Sequence, residues 1–175
     1  PIKSSAASDV YKRQAQTNYY TTTKTFYESG YTYQCDVRVS GFIALYNKSN
    51  TWNNIYPVYK NTGETFAQTD EGVELLENDT WTHSKRFSIV NEAFSTSEKQ
   101  RVKGHDFDII MYINSTTGTV DEVNFEFYKS TPYTTIPIST FRKIETEIKK
   151  NIWYTPTAEG KELSYIYYWW AQEPK

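Results

Sequence analysis

The chain has 175 residues, a formal net charge of −2 and an aromatic content of 17%, with 16 Tyr and 5 Trp. This length is sufficient for one domain with a substantial core, and the aromatic content is atypical of a disordered chain. The weak negative charge gives no electrostatic basis for a nucleic-acid partner, and no apolar run approaches the ~18 residues that a membrane span requires.

Residues 1–14 differ in composition from the rest of the chain and show no apolar periodicity. We interpret them as a leader that is not native to the protein and exclude them from the predicted fold. Ala15 and Gln16 then resemble the end of a signal-peptide cleavage site. On this interpretation we expect a periplasmic or secreted protein whose signal peptide is missing from this sequence.

Residues 15–103 are rich in tyrosine and threonine, which favours a β-rich N-terminal part. Cys35 lies on the apolar side of a predicted strand, and no activating base lies near it in the sequence, so we interpret it as a buried structural thiol. In chain order, the predicted elements are strands over 21–27 and 31–39, a hairpin of strands over 41–46 and 52–59, a weak strand over 81–90, and a loop or short helix over 92–102.

Residues 104–175 contain the clearest pattern. Alternation predicts two strands, over 107–113 and 120–128, joined by a turn that ends at Gly118. A helix follows the second strand, because apolar residues recur at spacings of three and four while the remaining positions are mostly charged. The apolar stripe of this helix consists of Phe141, Ile144, Ile148 and Ile152. A last strand is predicted over 161–170, with Leu163, Tyr165, Tyr167 and Trp169 on one face.

The order of strand, strand, helix and strand in residues 104–175 resembles the C-terminal domain of TonB and its relatives. The other matching residues are Lys103, Gly104, Gly118, Trp153, Pro156, Gly160 and Lys161. The resemblance implies a sheet with a helix on one face. The expected fold class is therefore α+β, with a mainly antiparallel sheet and a C-terminal β-β-α-β unit, either separate from 15–103 or continuous with it.

Two further expectations accompany this resemblance. Trp153 is expected to be buried over the end of the core, where the helix leaves the sheet, and the alternative is an exposed Trp153 that stacks on a ligand. The stretches at 26–36 and 45–48 also resemble small exported proteins of unknown function from gut bacteria.

No catalytic motif is identified in the sequence, and no cofactor is expected. His105, Asp106 and Asp108 form the one cluster of metal-ligand residue types. We interpret this cluster as a polar turn that enters a strand, with a metal site as the alternative. A group of acidic residues is interpreted as a solvated loop, with the carboxylate pair of a glycoside hydrolase as the alternative. These acidic residues are Asp70, Glu71, Glu74, Glu77 and Asp79.

Aromatic side chains are the main candidates for binding, because Trp and Tyr rings provide a large contact area at low entropic cost. The candidate residues are Trp52, Trp81, Tyr168 and Trp170. We predict a non-enzymatic module of the bacterial envelope that binds a protein or peptide, for instance through an exposed strand edge. The alternative is a carbohydrate-binding module or a glycoside hydrolase, which coplanar exposed rings would favour.

Overall fold

The structure is a computed structural model that describes residues 17–67 and 73–175. In chain order its strands are β1 (Lys24–Glu28), β2 (Tyr31–Val37), β3 (Phe42–Asn47), β4 (Phe107–Ile113), β5 (Val120–Tyr128) and β6 (Ile166–Gln172). They form one antiparallel sheet in the order β1-β2-β3-β5-β4-β6. The sheet therefore joins strands from both halves of the described chain, since β3 pairs with β5.

Four α-helices accompany the sheet in the described ranges. They are α1 (Trp81–Ala93), α2 (Thr96–Val102), α3 (Ile138–Asn151) and α4 (Ala158–Lys161), with a 3₁₀ turn over Pro132–Thr135. No helix in these ranges combines the length and the apolar character that crossing a bilayer would demand. The predicted α+β class with a mainly antiparallel sheet is confirmed.

Helix α3 covers the centre of one face of the sheet. Its predicted apolar stripe is confirmed, because Phe141, Ile144 and Ile148 are fully buried. The ring of Phe141 stacks on Phe127 of β5 at 5.6 Å with an angle of 10° between the planes, and it meets Phe125 at 5.1 Å. Helix α1 packs beside α3, so the two helices together bury this face.

One polar residue of α3 departs from the predicted pattern. Glu145 is expected on the solvated side of the helix but is buried, and the hydroxyl of Tyr33 in β2 donates a hydrogen bond to its carboxylate. The Nζ atom of Lys149, one helical turn further along, lies 3.9 Å from Oε1 of Glu145. The burial of Glu145 raises the pKa of its carboxyl, and the tyrosine and lysine oppose that shift.

Residues 81–90 form a helix, not the predicted weak strand. The buried positions Thr82, Arg86, Ile89 and Val90 follow helical spacing, and two of the four are polar. Helix prediction relies on apolar residues that recur every three or four positions. In α1 an arginine and a threonine occupy two of the inner positions, so this recurrence is lost. The short helix predicted as one possibility for 92–102 is confirmed as α2, which begins with a capping box between Ser95 and Glu98.

The predicted hairpin between residues 41–46 and 52–59 is wrong. The first segment forms β3, but β3 is an interior strand whose two sides are already paired with β2 and β5. The second segment instead crosses the sheet and makes isolated bridges, Val58 with Thr65 and Tyr59 with Leu163. The last strand also begins later than predicted, at Ile166, because residues 158–161 form the helical turn α4.

The turn of the β4–β5 hairpin is locked against the chain that follows α3. Gly118 has a φ of 77°, and its carbonyl accepts a hydrogen bond from the backbone N–H of Tyr154 at 2.9 Å. The predicted burial of Trp153 is wrong, because 55% of its side chain is exposed. Its ring instead meets that of Trp81 at 4.4 Å, since α1 brings Trp81 to this end of the molecule.

Truncation of the stripe on α3 tests the packing of helix on sheet. We expect Ile148→Ala to lower the free energy of unfolding by about 2–5 kcal/mol, because it leaves a cavity between α3 and the sheet. The exposed neighbour Lys150 provides the control, and Lys150→Ala should change it by less than about 0.5 kcal/mol. Urea unfolding of both variants measures the difference, and equal losses would contradict the assigned packing.

Two glycines with similar backbone conformations allow the cost of backbone strain to be distinguished from the cost of a steric clash at the hairpin turn. Gly118 and Gly63 have φ values of 77° and 74°, but a Cβ at Gly118 would lie 1.8 Å from the carbonyl oxygen of Tyr154, whereas Gly63 faces open space. Gly63→Ala should cost about 1–2 kcal/mol through its backbone conformation alone. Gly118→Ala should lower the unfolding midpoint clearly further, and matching midpoints would disprove the close contact.

Candidate functional site

The face of the sheet opposite the helices carries carboxylates and tyrosines in rows. Asp108 of β4 pairs with Glu126 of β5 in the strand register. Tyr112 of β4 pairs with Glu122 of β5 on one side and with Tyr167 of β6 on the other. Directly opposite residues on neighbouring strands have their Cβ atoms only ~4.5–5.5 Å apart, so these side chains are close neighbours.

The chain segment after β3 covers part of this face and is held there by side chains of β5. The carboxylate of Glu122 accepts hydrogen bonds from the backbone N–H groups of Thr51 at 2.6 Å and Trp52 at 3.0 Å. The side-chain amide of Asn124 donates to Oδ1 of Asn53 at 3.1 Å. Both anchors are buried, so the sheet determines where residues 51–59, which we call the covering segment, lie.

A cavity of about 610 Å³, which we call the aromatic cavity, lies between the covering segment and the sheet. Its volume falls within the range of small-molecule and side-chain sites. Three tyrosines form one wall, with the ring of Tyr112 lying 5.4 Å from Tyr165 and 6.0 Å from Tyr167. The apolar lining is completed by Ile55, Pro57, Phe66, Ala67, Leu75 and Leu163. Its polar lining consists of Asn53, Asn54, Thr65 and Glu126.

The rim of the aromatic cavity is apolar and exposed. Ile55 and Tyr56 belong to its lining, yet 53% and 77% of their side chains are exposed. The hydroxyl of Tyr165 donates a hydrogen bond to the carbonyl of Ile55, which ties this rim to the wall of the cavity. Ile55 and Tyr56 therefore form an exposed apolar edge beside the cavity.

The electrostatics of the cavity centre on Glu126. Its carboxylate accepts no hydrogen bond from the described residues, and it is partly buried. Burial raises the pKa of this carboxyl and Asp108 opposite adds to the shift, while the guanidinium of Arg38 opposes it. Burial likewise raises the pKa of Asp108, with a contribution from the neighbouring Asp106. A cation placed near Glu126 would relieve the repulsion between the two facing carboxylates.

The tyrosines of the wall are neutral at physiological pH. Burial raises the pKa of Tyr165 to about 12, and it raises the pKa of Tyr112 and Tyr167 as well. The phenol rings therefore act through their faces and through hydrogen bonds. Neutral aromatic rings beside a carboxylate can hold apolar groups by stacking and organic cations by cation–π attraction.

The family model described as Domain of unknown function (DUF5043) matches residues 16–170 of the chain. The protein is a member of the DUF5043 family. Its fold is similar to the crystal structure of a DUF5043 family protein from Bacteroides uniformis, at 38% sequence identity and a TM-score of 0.85, covering 90% of this chain and 95% of that one. No curated protein matches the chain significantly.

Membership of DUF5043 confirms the predicted resemblance to proteins of unknown function. The predicted resemblance to the C-terminal domain of TonB is not confirmed by either match. The β-β-α-β order of elements is present in residues 107–172 of this DUF5043 protein, but it is embedded in a wider six-stranded sheet.

The four aromatic residues predicted to bind a ligand do not lie together in the structure, because they are divided between the two faces of the sheet. Trp52 belongs to the covering segment, and its ring lies 4.7 Å from Tyr165 behind the cavity wall. Trp81, Tyr168 and Trp170 lie on the helix side of this DUF5043 fold. Contrary to the prediction of a surface site, Trp170 is buried and Tyr168 is partly buried, because the odd-numbered side chains of β6 take the other face.

The residues of the alternative metal site do not converge. His105 and Asp106 are exposed at the start of β4, while Asp108 points to the face with Glu126. Across ranges 17–67 and 73–175, no group of three or more His, Cys, Asp or Glu residues is arranged to hold a metal.

The acidic loop and the cysteine can be placed as well. Asp70 and Glu71 fall outside the described residues, whereas Glu74, Glu77 and Asp79 border a second cleft on the helix side.

The predicted burial of Cys35 is confirmed, and burial raises the pKa of its thiol to about 12, with Asp36 adding to the shift. A thiol with so high a pKa is a poor nucleophile at neutral pH.

Sequence reasoning missed the residues that form the aromatic cavity. Tyr112, Glu126 and Tyr167 occupy the second face of correctly predicted strands, and tyrosine and glutamate alternate there with core residues. That alternation was the available signal. It does not reveal the cavity, which requires the covering segment that the predicted hairpin placed elsewhere.

Replacing Glu126 by glutamine tests its electrostatic environment. A carboxyl whose pKa is raised in the folded state makes stability fall as pH rises from its ordinary value of about 4.5 through the folded value. We therefore expect Glu126→Gln to raise the thermal midpoint relative to wild type at about pH 7, with a smaller difference at about pH 4. Glu64→Gln, at an exposed position, is the control. A Glu126→Gln variant less stable than wild type at neutral pH would contradict this account.

Proposed function

We propose that this protein is an exported, non-enzymatic binding module that captures a peptide or protein segment in the aromatic cavity. The observation that carries the proposal is the lining of the cavity, which is mostly apolar and aromatic but includes Glu126 without a hydrogen-bond partner among the described residues. Export is supported by the cleavage-site-like Ala15 and Gln16.

The chemistry of the cavity defines the preferred ligand. An apolar or aromatic side chain would fill the space beside Tyr112 and Tyr167, and the exposed Ile55 and Tyr56 would contact its neighbours. A lysine, arginine or free amino group next to that side chain would approach Glu126. Such a cation gains a counter-ion and a ring face together, and it weakens the repulsion between the facing carboxylates.

A carbohydrate ligand is the second candidate. The amides of Asn53 and Asn54 and the carboxylate of Glu126 stand beside tyrosine rings, and such groups can bind sugar hydroxyls. A sugar is covered by hydroxyls, however, and needs more polar partners than this lining provides. The exposed rings of Trp81 and Trp153 are tilted by 49° from each other, so they offer no coplanar platform for stacking.

Binding of the immobilised protein to a peptide library and to a glycan array tests both candidates. We expect peptides that combine an aromatic or large apolar residue with an adjacent basic residue to be enriched. Tyr167→Ala should weaken their affinity by about tenfold or more, because it removes part of the wall. Glu126→Gln should weaken the peptides that contain a basic residue more than their neutral counterparts.

The control is Tyr27→Ala, which removes a tyrosine that is 82% exposed on edge strand β1. It should bind as wild type does. Glycan binding that depends on Tyr167 would favour the carbohydrate candidate instead. Equal losses in the Tyr27 and Tyr167 variants would exclude the cavity as the site.

A further inference from the structure

Arg86 of α1 is a buried cation that has no counter-ion within residues 17–67 and 73–175. Only 3% of the residue is exposed, and it takes part in no ion pair with any described residue. Its Nε and Nη1 atoms find no hydrogen-bond partner in the described part of the chain, while Nη2 donates to the hydroxyl of Tyr168 at 3.0 Å. A buried charge is costly unless it is paired, and unpaired buried donors in a native fold call for a partner.

Two aromatic rings of β6 hold the guanidinium in place. Its central carbon lies 4.7 Å from the centre of the Tyr168 ring and 4.6 Å from that of Trp170. These cation–π contacts orient the planar group, but they satisfy none of its free N–H groups. The aromatic contacts therefore account for the position of Arg86 and leave Nε and Nη1 without hydrogen-bond acceptors among the described residues.

Arg86 is one of the residues that line the second cleft, which we call the arginine cleft. This cleft has a volume of about 690 Å³ and is open to solvent. Its lining includes Thr82, Arg86, Tyr154 and Tyr168, with an acidic rim of Glu74, Glu77 and Asp79.

A second buried polar group in the arginine cleft also lacks a hydrogen-bond partner. The hydroxyl of Tyr154 has no partner in good hydrogen-bond geometry among the described residues, although the side chain of Thr82 lies beside it. Burial raises the pKa of Tyr154 to about 12, although Arg86 and Thr82 beside it oppose the shift, so the hydroxyl is a neutral donor at physiological pH. Arg86 and Tyr154 thus line the same cleft and hold their unused donors just beneath its surface.

We propose that the arginine cleft binds a ligand that carries a carboxylate and a separate cationic group, with Arg86 and Tyr154 donating to the carboxylate. A carboxylate accepts hydrogen bonds from a guanidinium in short, charge-assisted geometry and compensates the buried charge. The acidic rim disfavours dianions such as sulfate and attracts an ammonium group, which selects for a zwitterion such as a free amino acid or a short peptide.

Tyr168 provides the route by which a carboxylate reaches the guanidinium. Tyr168 is only partly buried, and its hydroxyl accepts the hydrogen bond from Nη2 of Arg86. A ligand oxygen can replace that hydroxyl and take over its hydrogen bond, which opens the shielded nitrogen atoms to the cleft. The arginine cleft is on the opposite side of the sheet from the aromatic cavity. Ligand binding at Arg86 does not depend on whether the aromatic cavity binds a peptide.

Calorimetric titration and thermal unfolding of the full chain test this site with defined probes. The probes are L-leucine and the dipeptide Leu–Leu as zwitterions, N-acetyl-leucine without the cation, leucinamide without the carboxylate, and sodium sulfate at matched ionic strength. We expect the zwitterions to bind saturably, N-acetyl-leucine more weakly, and leucinamide and sulfate not at all. The indole N–H resonance of Trp170 should shift on binding, because its ring contacts Arg86.

Three variants assign the binding to Arg86. Arg86→Met keeps the length of the side chain, removes the buried charge and should weaken zwitterion binding about thirtyfold or more. Tyr154→Phe removes only the hydroxyl and should weaken binding several-fold without affecting the fold. Lys85→Met, at an exposed position of the same helix, should bind as wild type does.

The outcomes separate the possibilities. Absence of zwitterion binding in the wild-type protein, or equal affinity in the Arg86→Met variant, overturns the proposal. Arg86-dependent binding of sulfate in preference to leucine overturns the assigned ligand class. If Arg86→Met does not fold, undiminished binding by Tyr154→Phe together with an unshifted Trp170 resonance overturns the proposal.

Discussion

The packing of Phe141 against Phe125 and Phe127 is the interaction on which the rest of the structure depends. These three rings join α3 to β5, a central strand of the sheet, at centroid distances of 5.1 and 5.6 Å. Helix α1 then packs beside α3, so the position of Arg86 follows from the same contact. Because β5 also carries Glu122 and Asn124 on its other side, the rings indirectly position the segment that covers the aromatic cavity.

Four charged residues that are buried or partly buried in this fold divide into two kinds. Glu122 and Glu98 have their oxygen atoms occupied, the first by backbone N–H groups of the covering segment and the second by Ser95 and Thr140. Their charges stabilise turns and helix ends. Arg86, which is buried, and Glu126, which is partly buried, instead retain unused hydrogen-bonding capacity. Each lines one of the two concavities described above, where a ligand would compensate its desolvation.

The sequence predicts those strands and helices whose position is determined by apolar periodicity alone. Strands 107–113 and 120–128 and helix α3 were predictable, because their apolar residues recur at the period of their structure. Residues 81–90 were not, because an arginine on the inner side of α1 is stabilised by rings of β6 that lie more than eighty positions away. Trp153 was misplaced for a related reason, since its partner Trp81 lies on that same helix.

The aromatic cavity was beyond sequence reasoning for a topological reason. Alternation shows that Tyr112, Tyr167 and Glu126 leave the core, but not what covers them. Their cover depends on strand order, since β3 is paired on both sides and the chain after it must cross the sheet. Loop composition alone does not distinguish a hairpin partner from such a crossing segment.

Tyr167 and Tyr168 are consecutive residues of β6, yet one lines the aromatic cavity and the other contacts Arg86. Strand β6 lies at the edge of the sheet and pairs with β4 alone among the described strands, while residues of α1 hydrogen-bond to Tyr168 and Gln172. A small displacement of this strand would therefore move a wall of both concavities together. If occupation of one site shifts β6, thermodynamic reciprocity requires that occupation of the other changes the first affinity by the same factor. Because consecutive residues of a strand face opposite ways, this single edge strand contributes a wall to two separate concavities.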